Sequence, residues 1–124
     1  MAGNLTTYAA NALLAGSTMP TTLYAAGALG NPGSDGTANP SATAARVVVT
    51  LNAPSGGAAT ASVGTMPGTA AASEDWTHLV LYDAASGGNA WWVVPITAGP
   101  VAITAGHGIR IPADALSLSF DLWS

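Results

Sequence analysis

The stretch that decides the fold is His78-Leu-Val-Leu-Tyr82-Asp83-Ala-Ala-Ser86-Gly87-Gly88-Asn89-Ala-Trp91-Trp92-Val-Val-Pro95-Ile96. Its two flanks are β-branched, aromatic and aliphatic. Its middle, Asp83 to Asn89, holds the residue types that turn a chain and tolerate positive φ. An apolar run, Gly-rich punctuation and a second apolar run predict a β-hairpin with a loop longer than two residues. The hairpin also carries two of the four tryptophans and one of the three tyrosines. In a chain so poor in large side chains, it must supply much of the core.

Working outward, the other strong segments are strands. Thr21 to Ala26 is introduced by Pro20, and Ala44 to Leu51 contains Val47-Val-Val49. Ala58 to Thr65 is weak and small, and pairs with the strand before it through a turn at Pro54 to Gly57. Glu74-Asp75-Trp76 opens the central hairpin. Past Ile96 come Val101 to Thr104, a stub at Ile109 to Ile111, a turn at Pro112 to Asp114, and a last strand. There Leu116, Leu118, Phe120 and Leu122 alternate with Ser117, Ser119, Asp121 and Trp123, the period of a half-buried strand.

One helical period is present, in residues 4–15. Leu5, Tyr8 and Ala12 share a face, Asn4 is the candidate N-cap and Gly16 the candidate C-terminal stop. The fold class is therefore all-β: a small antiparallel β-sandwich of about seven to eight strands with one short N-terminal helix. The whole chain, residues 1–124, reads as a single domain. Residues 1–20 form a helical arm, and residues 27–43, dense in Gly, Pro, Asn and Ser, form a long loop. A loop of that length is functional, mobile or pinned by a partner.

Only 6% of the residues are charged, against about 25% in ordinary soluble domains. There is no lysine, the cations are Arg46 and Arg110, and the net charge is −4. Binding to nucleic acid through phosphate neutralisation is excluded. Mean hydropathy is +0.40, yet no apolar run approaches the roughly 20 residues of a membrane span. A basic, apolar leader is not seen. The absence of cysteine removes disulfides, thiolate metal sites and thiol nucleophiles. A charge deficit of this size leaves two solutions: a neutral, weakly polar surface of Ala, Thr, Ser and Gly, or a surface covered by neighbouring subunits. The size of the deficit favours the second, a homo-oligomer, with a trimer among the sizes allowed.

No residue set points to catalysis, a cofactor or a metal. His78 and His107 stand without a paired carboxylate motif. Glu74-Asp75 lacks the loop of a calcium site. Gly33-Ser-Asp-Gly36 and the two Ser-Gly-Gly runs precede no helix and no lysine. Asp83 is explained by an Asx-turn. Candidate interface residues remain: Leu5, Tyr8, Trp91, Trp92, Trp123 and Arg46. Trp91 and Trp92 are adjacent, so in a regular strand they point to opposite faces, and one must be covered by the helix or by another subunit. Arg46 suits a bidentate contact, with Asp83 and Asp121 as candidate partners.

Read in order, the chain resembles a family of small virion proteins of tailed bacteriophages. The shared pieces are Leu5-Thr-Thr-Tyr-Ala-Ala-Asn-Ala-Leu-Leu14, Pro20-Thr-Thr-Leu-Tyr-Ala-Ala26, Ala45-Arg-Val-Val-Val-Thr-Leu51 and, most specific, Trp76-Thr-His-Leu-Val-Leu-Tyr-Asp-Ala-Ala-Ser-Gly-Gly-Asn-Ala-Trp-Trp92. Ile103-Thr-Ala-Gly-His-Gly-Ile-Arg-Ile-Pro112 and Ala115-Leu-Ser-Leu-Ser-Phe120 complete the series. The family is commonly labelled phage tail fibre protein, and related small β-proteins are capsid decoration proteins. Two departures fall in loops or strand ends: His107 stands where relatives usually carry Asp, and Ala25-Ala-Gly27 where Val-Ala-Leu is expected. The resemblance implies a non-enzymatic virion component and no catalytic residue. The low charge suits burial against neighbours, so the first expectation is a capsid decoration (cement) protein on the major capsid protein. The alternative is a tail fibre or minor tail protein. A carbohydrate-binding module using Trp92 and Asp83 stands third.

Overall fold

The computed structural model describes residues 2–17, 20, 22–40, 46–51, 58–63, 74–96, 101–103 and 111–122. They form β1 (Ala2–Leu5), α1 (Thr7–Leu14), β2 (Leu23–Ala28), β3 (Val47–Leu51), β4 (Ala58–Val63), β5 (Glu74–Trp76), β6 (His78–Tyr82), β7 (Ala90–Pro95), β8 (Val101–Ile103) and β9 (Ile111–Leu122). The chain is all-β with one short helix, as expected. Its main sheet does not divide into two facing layers, however. Seven strands close into a barrel in the order β1-β7-β6-β2-β3-β4-β9, and β5 and β8 pair as a separate ribbon.

An odd number of strands cannot alternate direction all the way round a closed barrel. One neighbouring pair must run parallel, and it is β1 with β9, while β1 is antiparallel to β7. This seam was not expected, because residues 4–15 read as one helix. The structure ends the strand at Leu5 and begins the helix at Thr7, with Thr6 rather than Asn4 as N-cap. Gly3 explains why a strand fits here. A Cβ at this position would lie 2.7 Å from both Val94 Cγ2 and Leu118 Cδ2, so only glycine lets β1 lie so close to its neighbours.

Helix α1 closes with the Ser17 amide donating to Ala12 O and the Gly16 amide to Leu13 O, the Schellman pattern expected of a glycine stop. Ala9 is buried, and Ala12 and Leu13 pack on the core. Eight residues are too few for an isolated helix, so this docking sustains it.

The interior collects Leu5, Leu23, Ala25, Val49, Trp76, Leu79, Leu81, Trp91, Trp92, Val94 and Leu118. The hairpin follows the sequence reading: Leu79 and Leu81 point inward and pair with Val94 and Trp92. One detail differs. Tyr82 pairs with Ala90 and Leu81 with Trp92, so Trp91 is the extra residue of a β-bulge. A bulge breaks strict alternation, and both tryptophans join one core cluster instead of taking opposite faces.

Strand β9 runs straight through the expected turn at Pro112 to Asp114. The turn chemistry survives as an irregularity: Ala61 pairs with Leu116 but Val63 with Ile111, so the prolyl residue falls where pairing with β4 is interrupted. Leu118 is buried as its alternation predicts. Glu74–Trp76 does not extend the hairpin but pairs with β8, with Trp76 opposite Val101.

The long loop is anchored by the chain itself over residues 29–40. Leu29 donates to Asn39 O, Ala38 to Pro32 O, and the Thr7 amide at the start of α1 to Ser34 O. Ala28 and Pro40 form a single antiparallel bridge. The loop lies over a second apolar cluster on the outer face, Ala28, Val80, Tyr82 and Ala90, where Gly36 sits against Ala90 and Val80.

Candidate functional site

The best-organised surface feature is the hairpin loop, residues 83–89. Asp83 closes it. Its amide donates to Asn89 O at 3.1 Å, and its Oδ1 accepts the Asn89 amide at 2.9 Å. Its Oδ2 accepts Trp91 Nε1–H at 3.1 Å. In place of the two-residue reach of the Asx-turn expected at this position, the carboxylate spans the whole loop, to Asn89 and Trp91. Gly87 and Gly88 both take positive φ, +66° and +68°, a conformation that glycine adopts at no steric cost. Residues 85–89 at the tip are exposed.

Arg46 holds the other side. Its Nη1 donates to Ala84 O at 2.8 Å and to Gly87 O at 2.6 Å. Its Cζ lies 3.6 Å from the Tyr82 ring centroid, within cation–π range. Of the two carboxylates considered as partners, Asp83 is taken up by Asn89 and Trp91, and the side chain of Asp121 lies outside the described residues. Arg46 thus binds loop carbonyls. Arg46→Met keeps the stem and removes the donors and the charge. It should lower stability by about 1–3 kcal/mol, read as a drop in the urea midpoint, with Arg46→Lys between Met and wild type.

The other candidate interface residues separate clearly. Leu5, Trp91 and Trp92 are buried within the chain. Helix α1, not a neighbour, covers Trp91: Tyr8 meets it edge-on with centroids 5.8 Å apart and planes at 86°. Tyr8 itself stays 41% exposed, so of the aromatic candidates described it alone offers surface. Trp123, His107 and Arg110 lie outside the described residues. A saccharide platform on Trp92 has no exposed ring to use, since Trp92 is 4% exposed.

Two residues missed in the sequence tie the site together. Thr6 is fully buried; its hydroxyl donates to Ala90 O at 2.6 Å and accepts the Ala9 amide at 3.1 Å. Its amide donates to Trp91 O, so one residue pins helix, β7 and hairpin. Threonine is a favoured N-cap residue, so the signal for Thr6 is present in the sequence beside the competing Asn4. The second is Gly27, on whose face the Trp76 ring lies.

His78 Nδ1 and Thr77 Oγ1 lie 2.7 Å apart. Burial pulls the imidazole below its ordinary pKa, which is roughly 6.5. Between the two values the unfolded chain binds more protons. The histidine's share of stability is therefore complete above about pH 6.5 and is lost as pH falls through the folded pKa. His78→Gln should flatten that part of the Tm–pH curve. Asp35 acts lower: its carboxyl is held below the usual range by the Thr37 amide and hydroxyl, so its share is lost below about pH 4.

Among the described residues, no cluster of three or more His, Cys, Asp or Glu could hold a metal ion, and no helix is long and apolar enough to cross a membrane. What the site offers is a loop on a closed barrel, braced by Asp83 on one side and Arg46 on the other. The family model described as podophage GP4 fiber I protein gp80 matches residues 4–119, and so spans α1, β2 to β8 and the larger part of β9. No curated protein matches the chain. The chain belongs to the family of the podophage GP4 fiber I protein gp80, a bacteriophage fibre family, and is a structural component of a virion.

Proposed function

We propose that the protein is a subunit of the tail fibre, or of a minor tail structure joined to it, and that it works by contact and not by catalysis. The observation that carries this reading is the family match over residues 4–119. It favours the fibre over the capsid-decoration role that low charge alone had put first. The arrangement around the hairpin is consistent with contact: Asp83 and Arg46 are both spent on holding the loop in place.

The partners in this reading are adjoining tail proteins and further copies of the chain. Support comes from the 6% charged residues and from apolar side chains left on the surface, above all Leu14, 88% exposed, and Val48, 51% exposed. Large apolar side chains left in water suit an interface.

Cryo-EM of virions carrying an antibody fragment against this chain tests the assignment. Density at the tail is expected. Density spread over the capsid shell would overturn the fibre reading and restore the decoration role. Light scattering of the purified chain tests self-association separately; a monomer at high concentration would argue against the homo-oligomer.

A further inference from the structure

Asp35-Gly36 is the one Asp–Gly or Asn–Gly step in the sequence. Such steps can rearrange without an enzyme. The Gly amide nitrogen attacks the Asp side-chain carbon, an N–C bond forms, and one carboxyl oxygen leaves as water with the amide and acid protons. The product is a five-membered succinimide. Water then adds to either ring carbonyl: one route restores aspartate, and the other breaks the original peptide C–N bond and leaves an isoaspartyl linkage. No oxidant or co-reactant beyond water is needed.

Both reacting groups are tied down here. Asp35 Oδ1 accepts from the Thr37 amide at 3.2 Å and from the Thr37 hydroxyl at 2.9 Å. The Gly36 nitrogen, the would-be nucleophile, donates to Gly33 O at 3.1 Å. Gly36 is buried, and a Cβ there would lie 2.8 Å from Ala90 Cβ and 3.2 Å from Thr6 Cγ2. Its backbone is thus seated on the outer face of the barrel and is not free to turn toward the carboxyl.

We propose that Asp35–Gly36 is a latent self-modification site, held in its unmodified form by the Thr37 clamp and by the seat of Gly36 on the barrel. The Thr37 contacts also keep the Asp35 carboxyl ionised, and the ionised form loses water far less readily than the acid. The position gives the reaction a consequence. An isoaspartyl linkage adds a methylene to the main chain between Ser34, whose carbonyl takes the Thr7 amide at 2.8 Å, and Gly36. Rearrangement would lift the loop from Val80 and Ala90 and remove a partner from the start of α1.

The test is slow ageing of the full chain in warm, neutral buffer, with isoaspartate located by peptide mapping. Wild type, Thr37→Ser, Thr37→Val and a free peptide of residues 31–39 are compared. The peptide should age fastest, Thr37→Val about fivefold faster than wild type, and Thr37→Ser close to wild type. Hydrogen exchange at the Thr7 amide reports whether the loop remains seated. Faster ageing of Thr37→Val with that amide still protected isolates the hydroxyl contact. Faster ageing with protection lost assigns the restraint to the seat of Gly36. Wild type ageing as fast as the peptide, or Thr37→Val ageing no faster than wild type, overturns the proposal.

Discussion

Trp76→Ala should cost the fold about 3–5 kcal/mol, a large part of the roughly 5–15 kcal/mol that holds a domain together. The indole is 1% exposed and belongs to the main core cluster. It arrives from the β5–β8 ribbon, outside the barrel sheet, and its ring lies flat on Gly27 of β2. The contact makes the two positions interdependent. In the wild type, Gly27→Ala drives a methyl into the ring and should cost about 1–3 kcal/mol. In a Trp76→Ala background the methyl meets space, so the same change should cost little or become favourable. A double-mutant cycle from urea unfolding should give a coupling of about 1–3 kcal/mol. Additive costs would show that the ring and the glycine do not meet.

Thr6→Val should be the next most damaging change, at about 2–4 kcal/mol. The substitution keeps the shape and deletes the hydroxyl. The loss has two parts: an N-cap worth about 1 kcal/mol, and a buried Ala90 carbonyl deprived of its 2.6 Å partner, which costs about 1–3 kcal/mol. Thr6→Ser should recover most of the loss, because the hydroxyl is what both contacts use. Urea midpoints give the magnitude. Near-UV circular dichroism should change with Thr6→Val as Tyr8 loses its edge contact with Trp91. A Thr6→Val protein within 0.5 kcal/mol of wild type would refute this role, since even a single cap is usually worth more.

The hairpin, the β3–β4 pair and the inward Leu118 were legible because each rests on a local pattern: alternation, β-branched runs and turn residues within a few positions. The rest depends on distant residues. A strand at Ala2–Leu5 makes sense only once Val94 and Leu118 are known to leave no room for a side chain at Gly3. The bulge at Trp91 is fixed by the register of β6 against β7, which a list of residues does not reveal. Pro112 reads as a turn, and only the skipped pairing with β4 shows that a strand can pass through it. The loop over residues 29–40 is tied to itself and to α1 in part by main-chain hydrogen bonds, Leu29 to Asn39 O, Ala38 to Pro32 O and Thr7 to Ser34 O, and these leave no mark on composition. The Arg46 cradle was half visible: the hairpin was found and the arginine singled out, but its acceptors are carbonyls, which every residue carries. Family membership was legible in the order of the motifs, while the rank of fibre over capsid was not, since low charge serves either place.

The parallel seam between β1 and β9 also orders events in time. The ribosome makes Ala2–Leu5 before both its partners, β7 and β9, which follow it far along the chain. At about 5–20 residues per second, the first strand waits for roughly 6–25 s before the last one emerges. A chain cut short before Ile111 leaves that strand with a single partner and the ring of strands open. Closure therefore reports that β9 has been made: a copy stopped before it keeps an unpaired edge and presents a different shape to whatever assembles it.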